Sequence, residues 1–246
     1  MRQFSFTSFM TCGVAALVLG ATASAYAAET AYLDEPTPPP PPKAMGKLKI
    51  PEKYEDGKVR VEREVIRMSD DTVVNDGLFT EYYHDGQKFA EGTFKQGIHN
   101  GTWTFWHPNG QICKVVTFVD GLPDGEWDVF DEKGNLAAHK GYAKGLRAGT
   151  WTTYYDDGKT PKIVQSWKDN KLTGERRTFH PNGKVNQESH FVDGLLDGMV
   201  VEHDPSGRKT AEANFKAGKR EGKFTQWAPD GTATVVNYRD DKPVME

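Results

Sequence analysis

The chain has 246 residues, of which 37% are hydrophobic and 11% aromatic, and 25 are glycine. A chain that is rich in glycine and aromatic residues favours a thin sheet with frequent turns over a deep globular core. The formal net charge of −4 lacks the basic excess that nucleic-acid binding requires, so we predict no nucleic-acid partner.

The first segment is typical of a secretory signal peptide. Arg2 precedes an apolar run at residues 14–19, and small residues then lead to an Ala-Tyr-Ala sequence that ends at Ala27. The apolar run is too short to span a bilayer. We therefore predict a signal peptide over residues 1–27, and an exported protein that is soluble in the periplasm or secreted.

Two short segments follow the predicted leader. Residues 28–46 contain a proline run that ends at Pro42, which favours extended polyproline II and predicts a stiff linker. Residues 47–76 contain a turn-like sequence at 54–57 and then an alternating strand pattern. We predict that this second segment is a half-repeat that caps the open edge of a sheet.

Residues 77–246 carry seven tandem repeats with a C-terminal cap. Glycine recurs every 24 residues, with one step of 25, and two further glycine series run nine and twenty residues later. The opening glycines of repeats 1 to 7 are Gly77, Gly101, Gly125, Gly149, Gly174, Gly198 and Gly222. The second series often follows Asp or Asn, a dipeptide that supplies the positive φ angles of a tight hairpin turn. The fold is therefore predicted to be all-β: an elongated, twisted antiparallel sheet of about seven tandem 24-residue β-hairpins.

Aromatic residues recur in register within these repeats. One row stands five residues after each opening glycine, as in Tyr82 and Trp106, and a second row stands in the second strand, as in Phe94 and Phe118. We predict that these two rows share one face and stack as a continuous ladder, which replaces a conventional core.

A third aromatic row stands two residues after the opening glycine. Its members are Phe79, Trp103, Trp127, Trp151 and Phe224. Strand alternation predicts that this row lies opposite the ladder, as an apolar stripe. Two interpretations stay open: the stripe is a binding surface, or it packs against glycines and neighbouring side chains.

The sequence from Gly101 to Gly110, GTWTFWHPNG, resembles a MORN repeat. More narrowly, residues 77 to about 242 are similar to the bacterial MORN-repeat variant family. The resemblance implies an elongated sheet with a shallow groove. Some family members are labelled antitoxins of toxin–antitoxin systems, and eukaryotic MORN arrays are described as membrane- or protein-associating modules. The pattern is broken at three positions where other repeats have aromatic residues, namely Arg176, Val200 and His203.

No catalytic constellation is evident. The sequence has no G-x-S-x-G elbow, phosphate-binding glycine loop or H-E-x-x-H motif, and no histidine pair has the spacing of a zinc site. His107 and His180 precede repeated turns, which predicts that they cap those turns. We therefore predict that the protein is not an enzyme, with no catalytic residues, no metal site and no cofactor.

The leading functional hypothesis is an exported scaffold that binds a protein partner through a groove or the aromatic stripe, with Trp103, Trp127 and Trp151 as anchors. The first alternative is an antitoxin or immunity protein that neutralises a toxin. The second alternative is an envelope protein that binds lipid or a cell-wall polymer.

Overall fold

A computed structural model describes residues 40–244, which form one long antiparallel sheet without a helix. The predicted signal peptide lies outside the described residues, as does most of the predicted linker. No helix that could cross a membrane occurs in the described part. The strands are β1 (Ala44–Lys53), β2 (Val59–Met68), β3 (Val73–Tyr82), β4 (Lys88–Lys95), β5 (Ile98–Trp106), β6 (Ile112–Val119), β7 (Leu122–Pro123), β8 (Gly125–Phe130), β9 (Leu136–Ala143), β10 (Leu146–Tyr154), β11 (Pro161–Lys168), β12 (Lys171–Phe179), β13 (Val185–Val192), β14 (Leu195–Leu196), β15 (Gly198–His203), β16 (Lys209–Lys216), β17 (Lys219–Trp227), β18 (Ala233–Arg239) and β19 (Lys242–Val244).

The sheet is a meander in which neighbours along the chain are neighbours in space. Pairing runs from β1 with β2 to β18 with β19. The short strands β7 and β8 both pair with β6, and β14 and β15 both pair with β13, so each pair is one strand interrupted at a single aspartate. The prediction of an all-β sheet of tandem hairpins is confirmed. Strand β1 begins at Ala44, and residues 47–76 hold most of β1, all of β2 and the start of β3.

The turns at the two ends of the strands are of different kinds. At one end a two-residue turn such as Gln96-Gly97 has φ of 50° and 79°, the positive pair that a type I′ hairpin turn requires. At the other end the Asp-Gly and Asn-Gly dipeptides sit in longer loops. In the loop of repeat 1, Gly86 has φ of 92°, whereas Asp85 is not among the positive-φ residues and its Oδ1 accepts the backbone N–H of Gln87 at 3.0 Å. The dipeptide therefore lies in a tight turn as predicted, closed by the Gly86 N–H donating to Tyr83 O at 2.9 Å, but only its glycine has a positive φ angle, because the aspartate holds an Asx turn.

Strand register decides which aromatic rows share a face. In repeat 1, Phe94 lies directly opposite Gly77, and Phe79 lies directly opposite Gly92. Directly opposed residues share a face, and so do residues two apart along a strand. Phe79 and Phe94 therefore lie on the same face, and their ring centroids are 5.4 Å apart.

The prediction that the row at position five and the second-strand row share one face was therefore wrong. The second-strand row stacks with the row at position two, while the row at position five lies on the opposite face. The cause is a bulge between Glu81 and Tyr82, where Tyr82 pairs with Lys88. One extra residue beside the loop shifts the pairing of the two strands by one residue. The alternate set of second-strand side chains then lies on the same face as Phe79.

The face that carries Phe79 and Phe94 is called the ladder face here. Seven ring contacts, each between 4.5 and 6.5 Å, run along it from repeat 1 into repeat 4. They are Phe79–Phe94 at 5.4 Å, Phe94–Trp103 at 5.1 Å, Trp103–Phe118 at 6.5 Å, Phe118–Trp127 at 6.0 Å, Trp127–Tyr142 at 4.5 Å, Tyr142–Trp151 at 5.2 Å and Trp151–Trp167 at 5.5 Å. Such offset and edge-to-face pairs each contribute about 0.5–1.5 kcal/mol beyond the burial of their area.

Side chains at the longer loops also tie each repeat to the next. The Tyr83 hydroxyl donates to the backbone O of Trp106 at 2.8 Å, and the equivalent position does likewise where it holds Tyr or His. The matching bonds are Tyr54 OH to Tyr82 O, His107 Nε2 to Phe130 O, Tyr155 OH to Phe179 O and His180 Nε2 to His203 O. His107 and His180 therefore join neighbouring repeats through a ring N–H, which satisfies a carbonyl at the end of the strand.

Candidate functional site

The five residues predicted as a binding stripe all lie on the ladder face. Trp103 is only 2% exposed, and its Nε1 donates to the backbone O of Thr93 at 3.2 Å. Its ring lies against Gly92, where a Cβ would come within 2.1 Å of Trp103 Cδ2. Trp103 is therefore a packed structural residue, with almost no surface open to a partner.

The other four stripe residues are half-buried. Phe79 contacts Trp103 directly, with ring centroids 5.6 Å apart. Trp127 and Trp151 are joined to the same ladder through second-strand rings. Phe224 lies apart from them and contacts Tyr238 at 6.3 Å. Trp127 and Trp151 are thus the stripe tryptophans that keep an accessible edge.

Cations lie among the rings of the ladder face in repeats 2 to 4. The Lys114 Nζ is 4.4 Å from the Phe105 ring centroid, and the Lys140 Nζ is 5.4 Å from that of Trp151. The Arg147 guanidinium lies 3.8 Å from the Trp167 ring centroid. These distances fall within the range of cation–π attraction.

Burial acts on both of these lysines. Loss of solvation lowers the pKa of Lys114, and the charge of Lys140 lowers it further. Loss of solvation also lowers the pKa of Lys140, which is 8% exposed. Neither lysine has a carboxylate partner among the ion pairs of the described residues. The sheet register places no Asp or Glu on the ladder face between Gly101 and Trp167. This part of the face is therefore aromatic and cationic.

The two acidic strand residues of these repeats, Glu126 and Asp128, lie on the opposite face. His139 is held there between two carboxylates, with its Nδ1 2.7 Å from Asp128 Oδ1 and its Nε2 2.9 Å from Glu126 Oε2. The hydrogen bond with Asp128 and the charges of both carboxylates raise the pKa of His139. The two faces of the central repeats thus differ in charge as well as in aromatic content.

The cations were missed by reasoning from the sequence. Arg147 and Arg220 occupy the same register, two residues before an opening glycine, and each guanidinium covers a second-strand ring. This register could have identified both arginines. Lys114 and Lys140 occupy registers that do not recur as lysine, so only the strand pairing brings them to the ladder face.

The described residues offer no metal centre. No group of three or more His, Cys, Asp or Glu side chains within residues 40–244 is placed to hold a metal ion. The face therefore has the chemistry of a binding surface: rings, the Arg147 guanidinium, which is stacked on Trp167 and hydrogen-bonded to Asn170, a buried lysine and a half-buried one.

Comparisons with known proteins support the repeat assignment. The family model described as MORN repeat variant matches residues 75–96, 100–120 and 172–193, which are parts of repeats 1, 2 and 5. A search of curated proteins found no match. Among solved structures, a mutant of S. aureus TarM in complex with Fondaparinux, alpha-GlcNAc-glycerol and UDP aligns at 12% identity, over 61% of this chain and 21% of that chain, with a TM-score of 0.18. A TM-score of 0.18 is too low to indicate a shared fold. The described chain is a single-sheet β-hairpin repeat array with three segments that match the MORN repeat variant.

Proposed function

We propose that the protein is an exported, non-enzymatic scaffold whose ladder face binds a protein partner. The observation that carries the proposal is that this face is built like an interface core yet is covered by no second layer of the described chain. Most sheets bury their apolar face against another sheet or helices. Aromatic residues and arginine are the side chains that dominate binding energy at protein interfaces.

The charge distribution indicates the kind of partner. Lys114, Lys140 and Arg147 lie among the rings, without an acidic residue on the same face of repeats 2 to 4. A partner segment with carboxylates would gain charge-assisted hydrogen bonds there, in a partly desolvated setting. An acidic, extended protein segment is therefore the partner that fits the central repeats.

Affinity capture from an envelope fraction tests the proposal. The bait is the chain from residue 40, used unchanged and as three variants: Arg147→Glu and Trp151→Leu on the ladder face, and Lys223→Glu as an exposed lysine on the opposite face. We expect one protein to be captured by the unchanged bait and by Lys223→Glu, and lost with both ladder-face variants. Equal capture by all baits would contradict the proposal. Binding of the bait to phospholipid vesicles or sacculi, lost with the same two variants, would instead support an envelope-binding protein.

Export has its own test. N-terminal sequencing of the protein isolated from cells should begin at Ala28 if the leader is removed after Ala27. A protein that retains Met1 or Arg2 would contradict export through this leader.

A further inference from the structure

The ladder of rings is interrupted in repeats 5 and 6. Within residues 40–244 the ring contacts run as far as Trp167 and resume only between Phe224 and Tyr238. At the positions where repeats 2 to 4 have tryptophan, repeats 5 and 6 have Arg176 and Val200. The interruption therefore follows directly from the two departures in the repeat pattern.

A groove of about 360 Å³ opens on the ladder face at this interruption. The second-strand rings of these repeats, Phe191 and Phe215, remain in place beside it, as does Phe224. Small side chains occupy the row between them, since Val200 lies directly opposite Ala213, and Ser189 stands in the same row. The groove has the volume of a small ligand site.

In repeats 2 to 4 a tryptophan side chain occupies the position that corresponds to the groove. Trp127 contacts a second-strand ring on each side, Phe118 at 6.0 Å and Tyr142 at 4.5 Å. In repeats 5 and 6 the flanking rings are kept and the indole between them is missing. The groove therefore has the walls of an indole site, and an aromatic side chain from another molecule would restore the contacts made in repeats 2 to 4.

Polar groups at the groove indicate what accompanies that ring. Arg176 Nη1 donates to Gln187 Oε1 at 3.3 Å, and Gln187 Nε2 donates to Glu202 Oε1 at 3.0 Å. Arg176 forms none of the ion pairs found in the described part of the chain. A half-buried guanidinium with only an amide partner attracts a carboxylate, and the amide and carboxylate beside it can pair with peptide groups. A lipid chain would desolvate all three groups and offer them no hydrogen bond beyond those they already make with one another.

We propose that the groove of repeats 5 and 6 binds a peptide segment that inserts an aromatic side chain between Phe191 and Phe215 and places a neighbouring carboxylate on Arg176. The inference rests on the proposed scaffold function and adds a second, separate anchor to it. The central repeats present rings and cations to a partner, whereas this groove takes a ring from the partner. A partner that uses both would be held at two points of one sheet, which raises its apparent affinity through effective concentration.

The test uses the blocked peptide acetyl-Gly-Trp-Asp-Gly-amide and the isotope-labelled protein, with amide shift changes read by NMR. Shift changes are expected to cluster at Ser189, Val200 and Ala213. Replacing Trp by Leu in the peptide should weaken binding about tenfold, the equivalent of one good aromatic pair. Replacing Asp by Lys should weaken it about two- to fivefold, as expected for a partly exposed ion pair.

Two protein variants from one strand provide the matched control. Val200→Trp fills the groove from within and should abolish the shift changes, whereas Val201→Trp places the same indole on the opposite face and should leave binding unchanged. Arg176→Gln should remove the preference for Asp over Lys in the peptide. Unchanged circular dichroism of each variant establishes that it is folded.

Several results would overturn the inference. These are binding that survives Val200→Trp, equal binding of the Trp and Leu peptides, and no shift change at 10 mM peptide, a concentration set by the roughly millimolar affinity of small fragments. Shift changes at the groove with a cell-wall disaccharide and none with the peptide would also overturn it. If the captured partner is lost with Trp151→Leu but retained with Val200→Trp, the scaffold function stands and only the groove inference fails.

Discussion

Truncation of Trp103 measures what the ladder contributes to stability. The side chain is 2% exposed and its ring contacts Phe79, Phe94, His99 and Phe118. A buried aromatic side chain removes about 150–250 Å² from water, which at about 25 cal/mol per Å² corresponds to roughly 4–6 kcal/mol. The denatured chain already buries part of that area, so about 3–5 kcal/mol is expected for Trp103→Ala.

The assay is equilibrium urea unfolding followed by circular dichroism, with the m-value checked because repeat arrays can unfold in parts. Trp106→Ala is the matched control, since Trp106 lies on the same strand, faces the opposite side and is half-buried. Its truncation should cost about 1–2 kcal/mol, because less area is withdrawn from water. Equal losses for the two variants, or a loss below about 1 kcal/mol for Trp103→Ala, would refute the view that ladder rings replace a core.

Three further predictions concern the ladder, the loops and the opposite face. Gly92→Ala should lower the free energy of unfolding by about 1–3 kcal/mol, because its Cβ would meet the Trp103 ring. This loss should be smaller in a Trp103→Ala background. A double-mutant cycle that shows no coupling between the two positions would contradict the contact. Tyr155→Phe should cost about 0.5–1.5 kcal/mol through loss of its inter-repeat hydrogen bond, while Tyr154→Phe, whose hydroxyl makes no hydrogen bond within residues 40–244, should be near neutral by urea unfolding. His139 should titrate above about 6.5 by NMR. A raised pKa in the folded state stabilises the fold below the unfolded pKa, and this contribution is lost as the pH rises through the folded pKa; His139→Gln should remove that pH dependence, and titration at or below 6.5 would contradict the carboxylate contacts.

The repeat and its hairpins could be predicted from the sequence because glycine recurs at the turns, where a positive φ angle is needed. Gly97 and Gly121 mark two-residue turns, and each has φ near 80° as the turn demands. The partition of aromatic rows between faces could not be predicted in the same way. It depends on the bulge at Tyr82, and one residue of register moves a whole row to the other face.

The candidate site was predicted in part for the same reason. Trp127 and Trp151 were singled out because they recur, and the structure places them on a half-buried aromatic face. The groove could not be read from recurrence, since it arises where recurrence fails. The departures at Arg176 and Val200 were visible in the sequence, but their consequence depends on strand pairing that sets Val200 opposite Ala213 and leaves the row small.

Native-state hydrogen exchange tests the central claim most directly, because it reports local stability strand by strand. If rings stacked along one face hold the sheet together, amides in β5 to β11 should exchange more slowly than those in β12 to β16, where the ladder is interrupted. Equal protection across the sheet, or slower exchange in β12 to β16, would contradict the claim.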